Sequence, residues 1–178
     1  MKILVLQGSP RAKGNTRAMV AAFAEGATSA GHQVDVLDVC EMDIHGCVAC
    51  EFCHTRGKGA CAQQDDMQKV YTLLNGADML VVAAPIYFHD IPGQIKCAVD
   101  RFYAVFDPQH PGTAQKGKKF AAILTSAMPG VHDAATAVLR DSLAAGLGFE
   151  VVGICTASGV ENGAESTMAK MREFGKSL

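Results

Sequence analysis

A run of small polar residues, Gly8-Ser9-Pro10-Arg11-Ala12-Lys13-Gly14-Asn15-Thr16, follows directly on the aliphatic run Ile3 to Leu6. Helical spacing begins at its end, where Thr16, Met19, Val20 and Phe23 fall three or four residues apart or side by side on one face. The loop therefore joins the carboxyl end of a strand to the first turn of a helix, where unpaired N–H groups and the helix dipole favour an anion. Ser9, Asn15 and Thr16 add hydroxyl and amide donors, Arg11 adds a planar cation, and no carboxylate in the loop repels a dianion. That chemistry suits a terminal phosphate monoester. The lysine directly before Ser or Thr that a Walker loop needs is missing, as is the second glycine two positions after the first that marks dinucleotide loops. The plainer reading is a turn and a helix cap, which any one of these residues can make alone.

A second group of residues is built on sulfur. The segment from His45 to Cys61 spaces Cys47, Cys50, Cys53 and Cys61 as C-x2-C-x2-C-x7-C. Seven cysteines in a chain with no export signal argue against a disulfide framework, because the cytosol keeps thiols reduced. Four thiolates are what a cubane iron-sulfur cluster requires, with the short gaps wrapping one face and the distant cysteine closing the site. Zinc accepts four thiolates as well, with His45 or His54 as alternates, and a reduced redox-sensing pair or no metal are further readings. Cys40, Cys97 and Cys155 lie in apolar contexts and read as core thiols.

The elements that must position these groups alternate along the chain. Short aliphatic runs at Ile3 to Leu6, Val34 to Val39, Met79 to Ala84, Phe120 to Leu124 and Val151 to Cys155 read as strands. Between them lie helical patterns such as Met67, Val70, Leu73 and Leu74, then Ile95, Val99 and Phe102. Alternation of this kind implies right-handed crossovers and a parallel sheet covered on both faces. The predicted fold is an α/β three-layer sandwich with a flavodoxin-like, five-stranded order 2-1-3-4-5. Gly31, Asn75-Gly76, and Gly146 with Gly148 punctuate helix ends. With 178 residues and no linker or repeat, one domain over 1–178 is expected, carrying a cysteine-rich insertion at about 43–64. The polar stretch Asp107 to Lys119 reads as a surface excursion or partner contact.

A formal net charge of -2 without blocks of like charge gives no footprint for nucleic acid or an anionic membrane. No apolar run is long enough to span a bilayer, and the opening residues lack a signal-peptide core, so a cytoplasmic protein is expected. Nothing resembles a Ser-His-Asp arrangement or a paired-carboxylate loop, which leaves hydrolase chemistry without support.

Two further loops reach the same sheet edge. The third strand runs into Pro85-Ile86-Tyr87-Phe88-His89 and the fourth into Thr125-Ser126-Ala127-Met128-Pro129-Gly130. A flat redox-active ring needs an apolar surface to stack on and amides at its polar edge, which an aromatic loop here supplies. Ordinary core packing of Tyr87 and Phe88 is the alternative, while Lys96 reads as a solvated helix face, Asp100-Arg101 as a weak surface pair and His132 as a helix-start residue.

Gly8-Ser9-Pro10-Arg11 with Gly14-Asn15-Thr16 resembles the phosphate loop of the NADPH-dependent FMN reductases and iron-sulfur flavoproteins of the flavodoxin-like superfamily. The resemblance implies that Ser9, Arg11, Gly14, Asn15 and Thr16 hold the FMN phosphate. It continues through Pro85, Ile86 and Tyr87, extending to Phe88, and through Lys96 and Asp100-Arg101. Thr125, Ser126 and Ala127 are implied to flank the flavin ring. The cysteine segment resembles the compact motif of iron-sulfur flavoproteins, in which a [4Fe-4S] cluster exchanges electrons with FMN, and Asp65-Asp66-Met67 also recurs there. The implied activity is an FMN-dependent oxidoreductase whose flavin, not a side chain, does the chemistry. Its implied donors are NAD(P)H or a ferredoxin-like protein, and its acceptors quinone, free flavin or oxygen species. Without a cluster, an NAD(P)H-dependent FMN or quinone reductase is the better description; a non-catalytic flavin carrier or a binder of another phosphorylated ligand are the rivals. A homodimer or homotetramer is also implied.

Overall fold

The structure, a computed structural model, describes residues Met1–Leu178. Its centre is one parallel sheet of strands β1 (Lys2–Gln7), β2 (Gln33–Asp38), β3 (Met79–Pro85), β4 (Lys119–Ser126) and β5 (Glu150–Ser158), in the order β2-β1-β3-β4-β5. This is the flavodoxin-like order expected from the alternating pattern. Strands β1, β3, β4 and β5 extend past their aliphatic runs, because pairing with a neighbour recruits polar residues such as Gln7 and Ser126, whereas β2 gains Gln33 and stops at Asp38, leaving Val39 to a 3-10 turn.

The three inner strands are buried on both faces, and their side chains alternate between two cores. Leu4, Leu6, Leu80, Val82, Phe120 and Leu124 point to the larger core. There they meet α2 (Met67–Gly76), α3 (Gly93–Arg101) and the rod made by α4 (Asp133–Ala137), a π-helical stretch Val138–Ala144 and α5 (Ala145–Leu147). Ile3, Val5, Met79, Val81, Ala121 and Ile123 point the other way, against α1 (Asn15–Ser29) and α6 (Glu165–Lys176). The helix α6 and the π-helical stretch were not anticipated. Helices α1 and α6 approach so closely that a Cβ on Gly26 would overlap the Arg172 carbonyl oxygen, and the rings of Phe23 and Phe174 meet tilted at 45° with centroids 5.5 Å apart.

The rod ends at Gly148, whose left-handed φ of 84° gives the helix its stop. The Asp107 to Lys119 stretch is pinned to that end rather than loose, since Gly112 N–H donates to Gly146 O and Gln115 N–H to Leu147 O at 2.8 and 2.7 Å. No helix is long and apolar enough to cross a membrane.

Strand order reverses between β1 and β3, and the chain leaves all strands toward the same side. Loops following β1, β3, β4 and β5 therefore meet at one carboxyl edge, the position where α/β sheets of this order bind ligands.

Candidate flavin and thiol sites

The first loop is pinned from below. Gln7, almost fully buried, accepts from Ser9 N–H at 2.5 Å and donates to Ser9 O at 3.2 Å, while Gly8 N–H donates to Ala83 O across the strand-order reversal. Gly8 is also sterically required, because a Cβ there would lie 2.7 Å from the Ile95 Cβ. Ser9 is buried, and its Oγ accepts from Arg11 N–H at 3.4 Å, so the hydroxyl proton is free to be given to a ligand. Gly14 occupies the N-cap of α1 with no side-chain cap, leaving the first-turn N–H groups open. Arg11 and Asn15 are exposed, whereas Arg17 is committed to Ser9 O and to Asp38. Five features thus lie along one loop: an open helix N-terminus, a buried hydroxyl, an exposed guanidinium, an exposed amide and a glycine.

Thr16 makes a contact across the sheet edge in addition to its place in the loop. Its Oγ1 lies 2.7 Å from Thr125 Oγ1, and both residues are buried, so the hydroxyl ties the first loop to the end of β4. Its backbone N–H remains at the helix N-terminus. The contact was invisible in sequence because 109 positions separate the partners.

The β3 loop is a tight hairpin. Tyr87 and Asp90 exchange backbone hydrogen bonds at 2.8 and 3.0 Å, and Phe88 and His89 adopt left-handed φ of 51° and 67°. Core packing of this pair is overturned: Phe88 is fully exposed and Tyr87 exposed, because the turn lifts both off the sheet edge. Pro85 ends β3 opposite Thr125, and Ile86 N–H donates to Thr125 O at 2.7 Å, holding the hairpin against the β4 loop. Between them lies a groove of about 400 Å³ lined by Ile86, Tyr87, Phe88, Ser126, Ala127 and Met128, with His89 and Val131 at its margins. Its walls are mostly apolar, as a tricyclic ring requires.

The loop after β5 completes the edge and was missed. Asn162 Nδ2 donates to Ser126 O at 2.6 Å, and Gly163 places its Cα side near Asn15 Oδ1, so this loop touches both the β4 loop and the start of α1. His132 stands at the N-cap of α4, as expected of a helix-start residue.

The cysteine segment sits over α3. Cys47, Cys50, Cys53 and Cys61 line one small pocket together with Arg101 and Tyr103. All seven cysteines are free, and Cys40, Cys97 and Cys155 are half-buried rather than fully enclosed. No three His, Cys, Asp or Glu side chains gather as a single metal ion needs. The four thiols line one space without converging on a single ion position. That space holds about 20 Å³, and its outer strip 47–51 is exposed. Ala49, Glu51 and Lys58 in this segment have left-handed φ; with Phe88 and His89 they are all five such non-glycine residues. Backbone strain is thus confined to the two candidate sites.

Arg101 is the clearest departure from expectation. Instead of a surface pair with Asp100, its side chain is fully buried and grips Asp65 through Nη1 at 2.7 Å and Nη2 at 3.1 Å. Asp100 pairs with Lys96 on the outside at 2.5 Å. Burial alone raises the Asp65 carboxyl pKa, but the Arg101 hydrogen bonds outweigh it and hold the group at about 2. Burial also pushes the Tyr71 phenol well up, and its hydroxyl donates to Arg101 O at 2.7 Å.

A family model described as NADPH-dependent FMN reductase matches residues 1–173. An iron-sulfur flavoprotein of Archaeoglobus fulgidus is 35% identical over 101 residues, 57% of this chain and 48% of its own. One from Methanosarcina thermophila is 35% identical over 101 residues, 57% of this chain and 52% of its own. The chain spans about half the length of these curated relatives. An NAD(P)H:quinone oxidoreductase from Methanothermobacter marburgensis superposes with a TM-score of 0.81 at 21% identity, covering 100% of this chain and 96% of that one. An FMN-dependent NADH-azoreductase from Bacillus anthracis, solved in complex with FMN, gives 0.71 at 14% identity, covering 99% and 98%. At these identities the solved structures speak for the flavodoxin-like fold. The family match runs through the loops after β1, β3 and β4, and the chain belongs to the NADPH-dependent FMN reductase family.

Proposed function

We propose that the chain is an FMN-dependent oxidoreductase that holds the FMN phosphate at the N-terminus of α1 and the isoalloxazine in the groove between the β3 and β4 loops. The observation that carries this reading is the cradle at Gly14. A Cβ there would lie 2.9 Å from Ser9 Oγ and 3.1 Å from Arg11 O, so the loop keeps open a space that any side chain fills. Bound FMN supplies the redox chemistry, accepting a hydride or electrons and releasing them.

The protein's own residues bind and orient. The first-turn N–H groups of α1, Ser9 Oγ and Asn15 meet phosphate oxygens, and Arg11 neutralises the dianion. Pro85, Ile86, Tyr87 and Phe88 form one wall of the ring site; Thr125, Ser126 and Ala127 form the other. Thr16 and Thr125 lock the two ends at a set spacing through their hydroxyls. Exposed apolar groups at the mouth, Phe88 and Met128 among them, are placed to exclude water once a ring or a second subunit covers them. No side-chain acid or base is required, because the ring itself exchanges the electrons.

The donor in this reading is NAD(P)H or a ferredoxin-like protein, and the acceptor a quinone, free flavin or oxygen species. The C-x2-C-x2-C-x7-C spacing favours a [4Fe-4S] cluster as electron relay over zinc, and the four thiols line one pocket. A homodimer or homotetramer in a reducing, cytoplasmic setting fits the exposed mouth and the free thiols. Replacing Arg11 and Asn15 together with alanine tests the phosphate assignment. Two charge-assisted bonds at about 1.5–3 kcal/mol each weaken FMN binding by at least about 100-fold. Unchanged FMN affinity in a folded double variant rejects it.

A further inference from the structure

Arg101 lines the thiol pocket alongside Cys47, Cys50, Cys53 and Cys61, and its side chain has no solvent access. A guanidinium carries five N–H donors. Nη1 and Nη2 are engaged with Asp65, and Nη1 also reaches the His45 carbonyl at 3.0 Å. Nε is buried and has no partner. An unspent, fully desolvated donor on a residue that lines a pocket with four thiols is costly unless something there accepts from it. Asp65 lies at the Nη end and also takes N–H bonds from His45 and Met67, so it anchors the base of the cysteine segment. The positive charge is therefore fixed beneath the pocket by a carboxylate that also fixes the segment above it.

A tetrathiolate iron-sulfur centre is an anion, and hydrogen bonds to its sulfurs raise its reduction potential. From the shared pocket, the orphaned Nε and the buried Asp65 clasp, we propose that Arg101 is the counter-charge and sulfur hydrogen-bond donor for an anionic iron-sulfur group held by the four cysteines. The inference rests on the cluster reading above and adds a residue outside the ligand set. It also assigns a use to Asp65, which holds the guanidinium in place without reaching the group itself.

The test compares wild type with Arg101→Lys and with the neutral pair Arg101→Gln/Asp65→Asn, which leaves no lone buried charge. Each protein is purified anaerobically and reconstituted with iron and sulfide. Bound iron, bound FMN, melting temperature and the midpoint potential of the cluster are then measured. Iron retention is expected to fall about 10–100-fold in the neutral pair, the usual range for a lost supporting group, with FMN content unchanged. The residual cluster is expected at a more negative potential, and Arg101→Lys is expected between the two. Wild-type iron retention and potential in variants that keep FMN overturn the role of Arg101 while leaving the cluster reading intact. Loss of FMN together with iron also overturns it, because the arginine is then supporting the fold as a whole. A wild type that takes up no iron overturns both.

Discussion

Replacing Gly14 with alanine is the smallest change that closes the proposed phosphate cradle. Gly14 has φ of -89° and ψ of 155°, an extended conformation that alanine adopts freely, so backbone strain contributes nothing. The added methyl carbon meets Ser9 Oγ at 2.9 Å, Arg11 O at 3.1 Å and Arg11 Cβ at 3.2 Å. Ser9 is only 3% exposed, so its hydroxyl has no room to swing into solvent and must turn from the cradle or push the loop outward. Overpacking of this kind costs about 1–3 kcal/mol of folding stability. Loss of one donor to a charged phosphate costs about 1.5–3 kcal/mol of binding, or roughly 10- to 150-fold in FMN affinity. Quenching of FMN fluorescence on titration with apoprotein reads the affinity, and urea unfolding reads the stability. Gly76→Ala is the control: no atom lies within 4 Å of its added carbon, so FMN affinity should stay at the wild-type value. A Gly14→Ala protein that binds FMN within about twofold of wild type refutes the cradle.

Two further outcomes follow from the same geometry. Asp65 titrates in the folded protein at about 2, below its ordinary 3.8, so its contribution is complete above about pH 4 and is lost as pH falls toward 2. The loss amounts to about 2 kcal/mol. It appears as an acid-side drop in urea midpoint that Asp65→Asn flattens; an equal slope in both proteins contradicts the buried pair. Gly26→Ala forces a methyl group into the Arg172 carbonyl and should destabilise by about 2–3 kcal/mol without altering FMN affinity, since the site is three turns from Asn15. Wild-type stability in that variant contradicts the close packing of α1 on α6.

The parts of the molecule legible in sequence are those whose information is local. Ser9, Arg11, Gly14 and Asn15 lie within one turn between a strand and a helix, so their chemistry and their position are read together. The inner strands declare themselves because burial on both faces leaves unbroken aliphatic runs such as Met79 to Ala84. What escaped depends on pairs far apart in the chain. Arg101 read as a surface residue because its partner Asp65 lies 36 positions earlier, and only the docking of the cysteine segment on α3 buries both. Gln7 reads as the tail of a strand, yet its amide fixes Ser9 from below. Tyr87 and Phe88 read as a ring-stacking surface with core packing as the alternative; the left-handed turn that decides against the core is carried by Phe88 and His89, residues with no sequence signature for that conformation. The helix α6 escaped because its buried face is made of Thr167, Met168, Met171 and Gly175, a weakly apolar set that acquires meaning only against α1.

The central claim is that the turn leaving β1 grips a phosphate. Parallel titration of apoprotein with FMN and with riboflavin, which share the ring and differ in the phosphate, tests it most directly. FMN is expected to bind at least about 100-fold more tightly, the worth of two charge-assisted hydrogen bonds. Equal affinity for the two flavins contradicts the account.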